Sequence, residues 1–235
     1  MNKIIPNIFN KYNFLAQYVP AIITVVPVLM LLSLIDVSEF ESLFKYSNAV
    51  LVVGGIGIAG IMIIFLCHIL RIAGKYLIEK KIFNEELNFP TTNFLLWQNK
   101  EFSNEKKIQL HNKIKIMFNI HLLALKDEKK DETEARLRIK DAVDQIRYNV
   151  KGGTRTLQYN IQYGMIRNLA GGIPIIIIFS TLTLIFLSST LAVIIAIIYL
   201  ALSVIFLIVF MPLLKALGND YARYLLTEFL GKNND

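Results

Sequence analysis

Cysteine is nearly missing from this chain. The single Cys67 lies inside an apolar run, so one molecule can form neither a disulfide framework nor a cysteine-based metal site. Charge is missing over a much longer stretch: residues 169–214 contain no Asp, Glu, Lys, Arg or His. A water-soluble helix needs a polar face, and this stretch offers none, so it must lie in lipid. Two further runs, 14–35 and 49–70, also lack Asp, Glu, Lys and Arg. Transporters driven by protons or sodium keep ionisable groups within the bilayer, so coupled transport is disfavoured. The chain has no phosphate-binding glycine-lysine loop, no His-Glu-x-x-His, no Gly-x-Ser-x-Gly and no Cys-x-x-Cys. His68, His111 and His121 make no metal-ligand spacing. The reading is therefore of a non-enzymatic protein with no cofactor and no metal.

What the chain does have is apolar length. Of its 235 residues, 54% are hydrophobic, too many for an ordinary soluble domain, and they fall in blocks. A helix needs roughly 20 apolar residues to cross the hydrocarbon core, so 169–214 is two spans folding back at Ser188-Ser189-Thr190. The expected architecture is an all-α integral membrane protein, with four transmembrane helices as two hairpins flanking a helical cytoplasmic insert. The first hairpin occupies 1–70, with spans at about 14–35 and 49–70. The insert is 71–168. The second hairpin is 169–214, with spans at about 169–187 and 191–212, and 215–235 forms a C-terminal amphipathic tail on the membrane surface. Pro20 and Pro27 lie two turns apart on one face of the first span, where they can bend it.

The net charge of +7 supplies an orientation, because the whole surplus falls between Arg71 and Arg167. Lys and Arg near span ends mark the cytoplasmic side, whereas the first link carries Asp36, Glu39 and Glu41 against Lys45. Both termini are thus expected inside, in a multi-pass protein of the bacterial inner membrane. Charges of both signs alternate along the insert, which disfavours nucleic acid as a partner.

Within the insert, Pro90 disfavours helical geometry at Phe89, and Thr91, Thr92 or Asn93 is expected to cap a short helix that follows. Apolar spacing predicts an amphipathic helix within 104–125. The run 126–134 is of mixed charge with no apolar residue and reads as a solvated turn. A further helix, from Asp131 or Thr133 to Val150, places Ala135, Ile139, Ala142, Val143, Ile146 and Val150 on one face.

Two groups of residues are candidates for function. Gly54, Gly57 and Gly60 form a small-residue stripe that lets helix backbones approach closely, within the molecule or between copies; a hinge is the alternative. Arg155, Tyr159, Tyr163 and Arg167 recur every four residues, with Asn168 beside them. They are either interface anchors or a patch that couples the insert to the spans or receives a ligand.

The layout, together with Tyr159-Asn160-x-x-Tyr163-Gly164-x-x-Arg167-Asn168-Leu169, resembles small uncharacterised four-span membrane proteins of bacteria. Some proteins of this look are encoded beside anti-phage modules, where membrane effectors accompany CRISPR, cyclic-nucleotide or retron systems. The resemblance implies a homo-oligomeric effector in the lipid bilayer that perturbs or permeabilises the membrane on infection. A pore would then need several copies, or a lining of Ser180, Thr181, Thr183 and Ser203. The competing expectation is a membrane scaffold that recruits a soluble partner, such as a defence protein, through residues 71–168.

Overall fold

The computed structural model describes residues 11–32, 48–84, 87–150 and 154–232, with side chains in the second of these at position 57 and from 60 onward. All regular structure among the described residues is helical: α1 (Lys11–Asn13), α2 (Val19–Leu32), α3 (Asn48–Ala73), α4 (Lys80–Phe83), α5 (Pro90–Leu95), α6 (Asn104–Phe118), α7 (Leu125–Glu128), α8 (Glu132–Asn149), α9 (Thr154–Phe186) and α10 (Thr190–Gly231). π-helical turns at Phe14–Tyr18 and Gly74–Glu79 join α1 to α2 and α3 to α4. Among the described residues, four stretches are long and apolar enough to cross a membrane: Lys11–Leu31, Gly60–Phe83, Thr154–Phe186 and Thr190–Gly231. The long apolar run breaks between α9 and α10 at 187–189, where the sequence turns polar.

The chain forms two compact units, one of 1–78 with 164–211 and the other of 79–163 with 212–235. In the first unit α2 packs against α3. Its buried face carries Ala16, Pro20, Ala21, Thr24, Val25 and Pro27, so both prolines share that face as their spacing requires. The Thr24 hydroxyl donates to the Pro20 carbonyl at 2.8 Å, which gives a hydroxyl in an apolar surrounding its partner. Ala21, Cys67 and Leu70 form a core cluster flanked by Tyr18, Ile63, Leu66 and Ile175.

Among the described residues, the glycines of this unit that let helix backbones meet are Gly74, Gly171 and Gly172, and not Gly57 or Gly60. A Cβ added at Gly171 would stand 2.6 Å from the Leu70 carbonyl oxygen and 2.7 Å from the Gly74 nitrogen. One added at Gly74 would stand 2.5 Å from the Arg167 carbonyl oxygen, and one at Gly172 would collide with the Thr24 hydroxyl. Only residues without a side chain allow these backbones to meet, the usual device for packing helices where lipid provides no hydrophobic drive.

The second unit is built like a small helical protein around an apolar core. Phe89 takes the extended geometry that Pro90 imposes (φ −66°, ψ 145°), and Pro90 itself opens α5. Thr91, Thr92 and Asn93 therefore lie inside the helix and do not cap it; Thr91 and Thr92 are buried. Ser103 caps α6, its side chain accepting from the Lys106 amide at 3.2 Å. That helix stops at Phe118, short of the expected 125, because Asn119 turns left-handed at φ 54°.

Helix α8 begins at the Asp131 cap, which accepts from the Glu134 amide at 2.9 Å. Its buried face is Ala135, Ile139, Ala142, Val143 and Ile146, with Val150 just beyond, the face read from the sequence. The last turns of α10 complete this core. Tyr221, Ala222, Leu225, Leu226 and Phe229 are buried, and Phe229 stacks on Phe118 at 5.6 Å. Tyr221, Leu225, Leu226 and Phe229 of the tail thus face protein.

Candidate functional site

The residues of the Arg155–Asn168 row divide between the two units. Arg155, Tyr159 and Tyr163 belong to the second, Arg167 and Asn168 to the first. In the second unit the four-residue spacing puts the side chains on one face of α9, and that face meets the end of α10. Tyr159 stacks on Tyr224 with ring centroids 4.7 Å apart and planes at 9°, and the Arg155 guanidinium lies 5.6 Å from the Tyr224 ring.

Tyr163 sits deeper, only 4% exposed, and meets the edge of Phe89 at 5.5 Å. Phe89 also contacts Phe83 at 4.9 Å and Tyr221 at 6.4 Å, with the Arg147 guanidinium 5.7 Å from its ring. Tyr163 is thus a core residue of an aromatic cluster. Glu228 on α10 closes the arrangement: its Oε1 accepts from the Arg155 and Thr156 amides at 3.1 and 3.3 Å. A carboxylate on the first exposed amides of a helix is favoured by both hydrogen bonding and the helix dipole.

In the first unit, Asn168 is 1% exposed and its Nδ2 donates to the Ala16 carbonyl at 2.6 Å. Its Oδ1 accepts from Arg167 Nε at 3.3 Å, so a fixed carboxamide orients the guanidinium. Arg167 also packs on Gly74, its Cγ 3.2 Å from the place a Cβ there would occupy. By contrast, a Cβ at Gly57 or Gly60 would meet nothing within 4 Å among the described residues, and the surroundings of Gly54 lie outside them. Ile61, Ile64 and Phe65 on the following turn of α3 are exposed. Of the suggested polar lining, Ser180, Thr183 and Ser203 are buried and Thr181 is exposed.

The sequence reading missed one polar cluster entirely. Glu128, inside the run read as a solvated turn, is 1% exposed, and Lys107 is fully buried. Together they hold the loop that follows α5. Glu128 accepts from the Trp97 amide at 3.0 Å and the Gln98 amide at 3.3 Å, while Lys107 Nζ donates to the Trp97 carbonyl at 3.0 Å and to the Asn99 carbonyl. Burial pushes the Lys107 pKa down, with the Glu128 charge opposing the shift.

The indole of Trp97 donates to the Leu123 carbonyl at 2.9 Å and lies 4.5 Å from the His111 ring. His111 Nε2 is 2.9 Å from the Leu95 carbonyl. Burial lowers the His111 pKa, with the Leu95 hydrogen bond and the Glu128 charge acting in the opposite sense. The sequence does not single out this cluster: Lys107 follows Glu105 and Lys106, and Glu128 lies among Lys126, Asp127, Lys129 and Lys130. No family model matches the chain, and neither a curated protein nor a solved structure matches it.

Proposed function

We propose that the chain is a non-enzymatic, homo-oligomeric effector of the bacterial inner membrane that permeabilises the membrane, in anti-phage defence. In this reading the four spans form two hairpins, and 71–168 together with both termini are cytoplasmic, as the location of the basic surplus argues. The observation that carries it is the open face of α3. Gly57 and Gly60 meet no neighbour within 4 Å among the described residues, although the same unit uses other glycines for its own close packing. A second copy of α3 fits such a face, and assembly of copies supplies the polar path that one chain lacks.

The test is membrane potential, followed with a voltage-sensitive dye in bacteria expressing the full chain, with and without phage challenge. Collapse of the potential on challenge, lost in Arg155→Ala and Arg167→Ala, is the expected result. A steady potential in every condition refutes the effector reading. The second reading, a scaffold that recruits a soluble partner, is favoured by one feature of the second unit. Ile108, Ile116, Leu137 and Tyr148 are exposed there, Ile116 and Tyr148 by 75% and 79%. Capture of a partner by residues 71–168, with no change in potential, would favour it.

A further inference from the structure

In the second unit the loop after α5 is fixed by buried ions. Glu128 takes the Trp97 and Gln98 amides, Lys107 donates to the Trp97 and Asn99 carbonyls, and the Trp97 indole is tied to the Leu123 carbonyl. The loop also closes on itself: the Asn99 amide donates to the Leu96 carbonyl at 3.2 Å, and Asn99 Oδ1 accepts from the Glu101 amide at 2.8 Å. A buried ion pair is a costly route to stability, and what it secures here is one geometry for residues 96–99. Leu96, Gln98 and Asn99 of that stretch, with Asn93 before them, line a pocket of about 200 Å³ whose remaining wall is Glu132 and Arg136 on the first turns of α8.

The wall on α8 is held as firmly as the loop. Arg136 Nη1 donates to the Leu87 carbonyl at 2.8 Å and to Asn93 Oδ1 at 2.7 Å, and Asn93 Nδ2 in turn donates to the Asn88 carbonyl at 2.9 Å. Nε and Nη2 of Arg136 meet Glu132 Oε1 at 2.9 and 2.7 Å. A guanidinium carries five N–H groups. One hydrogen of Nη2 is therefore left over next to Glu132 Oε2, and neither has a partner among the described residues. The two charges cancel, so the wall selects neither an anion nor a cation; it offers a preset donor beside an acceptor. The Gln98 carboxamide and Asn99 Nδ2 make no hydrogen bond among the described residues, and the buried Leu96 adds an apolar contact.

We infer that this pocket binds the guanine base of a free nucleoside or nucleotide. A neutral, flat ring that shows an acceptor beside donors is the complement of the wall. Guanine O6 accepts from Arg136 Nη2, and N1–H and the 2-amino group donate to Glu132 Oε2, the side-chain types that read base edges elsewhere. Gln98 and Asn99 serve the ring nitrogens that remain. Adenine and uracil each offer the carboxylate one donor group where guanine offers two. The pocket is smaller than the roughly 300 Å³ at which sites for drug-sized ligands begin, so it takes the base and leaves the ribose outside. The inference is independent of the effector reading, since a chain that leaves the membrane potential unchanged can still retain the base.

The test is equilibrium dialysis of the purified full chain in detergent against radiolabelled guanosine, inosine, adenosine and uridine, each in turn. The expected result is one guanosine retained per chain, with inosine, which lacks only the 2-amino group, held about fivefold more weakly and adenosine and uridine more weakly still. Glu132→Gln should weaken guanosine about tenfold and reduce its advantage over inosine, because the carboxylate is the acceptor for both donors. Gln98→Ala, which removes an exposed side chain that holds nothing else, should weaken guanosine about threefold at an unchanged melting temperature, and it decides the matter if Glu132→Gln does not fold. No retention of guanosine at millimolar concentration overturns the inference, as does equal retention of the four nucleosides or a preference for adenosine or uridine. Undiminished guanosine retention in a folded Glu132→Gln chain, or in Gln98→Ala where that chain does not fold, overturns it as well.

Discussion

Replacing Glu128 with Ala should unfold the second unit far more readily than any exposed charge change in the same run. The buried carboxylate serves two part-buried amides, of Trp97 and Gln98, and offsets the charge of a fully buried Lys107. Its removal leaves those amides without an acceptor and the ammonium without its counter-charge, and breaking a buried charge arrangement from one side costs about 3–5 kcal/mol. Lys130→Ala, two residues on, removes only the exposed pair with Asp127 at 3.5 Å and should change stability by less than about 0.5 kcal/mol.

Trp97 is the only tryptophan in the chain and its own amide is one of the two groups released, so its fluorescence reports the site directly. Urea titration of the full chain in detergent, followed at Trp97, measures the change. The double variant Lys107→Met with Glu128→Ala should be less destabilised than the sum of the single variants, because no lone charge is left buried. If Glu128→Ala costs less than about 1 kcal/mol and leaves the Trp97 emission unshifted, the carboxylate is not holding this loop and the argument fails.

Two further perturbations test other parts of the structure. Gly171→Leu forces a side chain against the Leu70 carbonyl and should destabilise the first unit by about 1–3 kcal/mol or more, whereas Gly57→Leu meets no neighbour within 4 Å among the described residues and should leave thermal stability in detergent unchanged while reducing oligomer size; equal thermal shifts for the two would refute the contrast. His111 has its pKa lowered by burial, so the unfolded chain takes up the proton first. Stability should be full above about pH 6.5 and fall as the pH drops below that value toward the folded-state pKa, and His111→Asn should flatten the dependence in melts followed at Trp97 between pH 7.5 and 5.

The comparison of sequence with structure divides along physical lines. The four apolar stretches were legible because avoidance of charge over a span-length run is a local property with one solvent that satisfies it. The buried face of α8 was legible for a similar reason: its apolar residues repeat at the helical period. Glu128 was not legible. A carboxylate among Lys126, Asp127, Lys129 and Lys130 looks solvated until Lys107 and the loop after α5 are brought to it, and that proximity is not written in the spacing. The glycines carry the same lesson, since the stripe at 54, 57 and 60 and the positions at 74, 171 and 172 all permit close approach, and only the packed helices determine which are used.

By itself, then, the amino-acid order determined that this chain is helical, that four of its stretches suit lipid and that its positive surplus lies in the middle. These follow from solvent preference and periodicity, which each segment expresses alone. Tertiary structure decided that Tyr163 is core, that the end of α10 completes the core of the second unit, that Asn168 orients Arg167, and that Lys107 and Glu128 are buried together. The reason is the same in each case: whether a polar or aromatic side chain faces water, lipid or protein depends on which distant segment arrives to satisfy it.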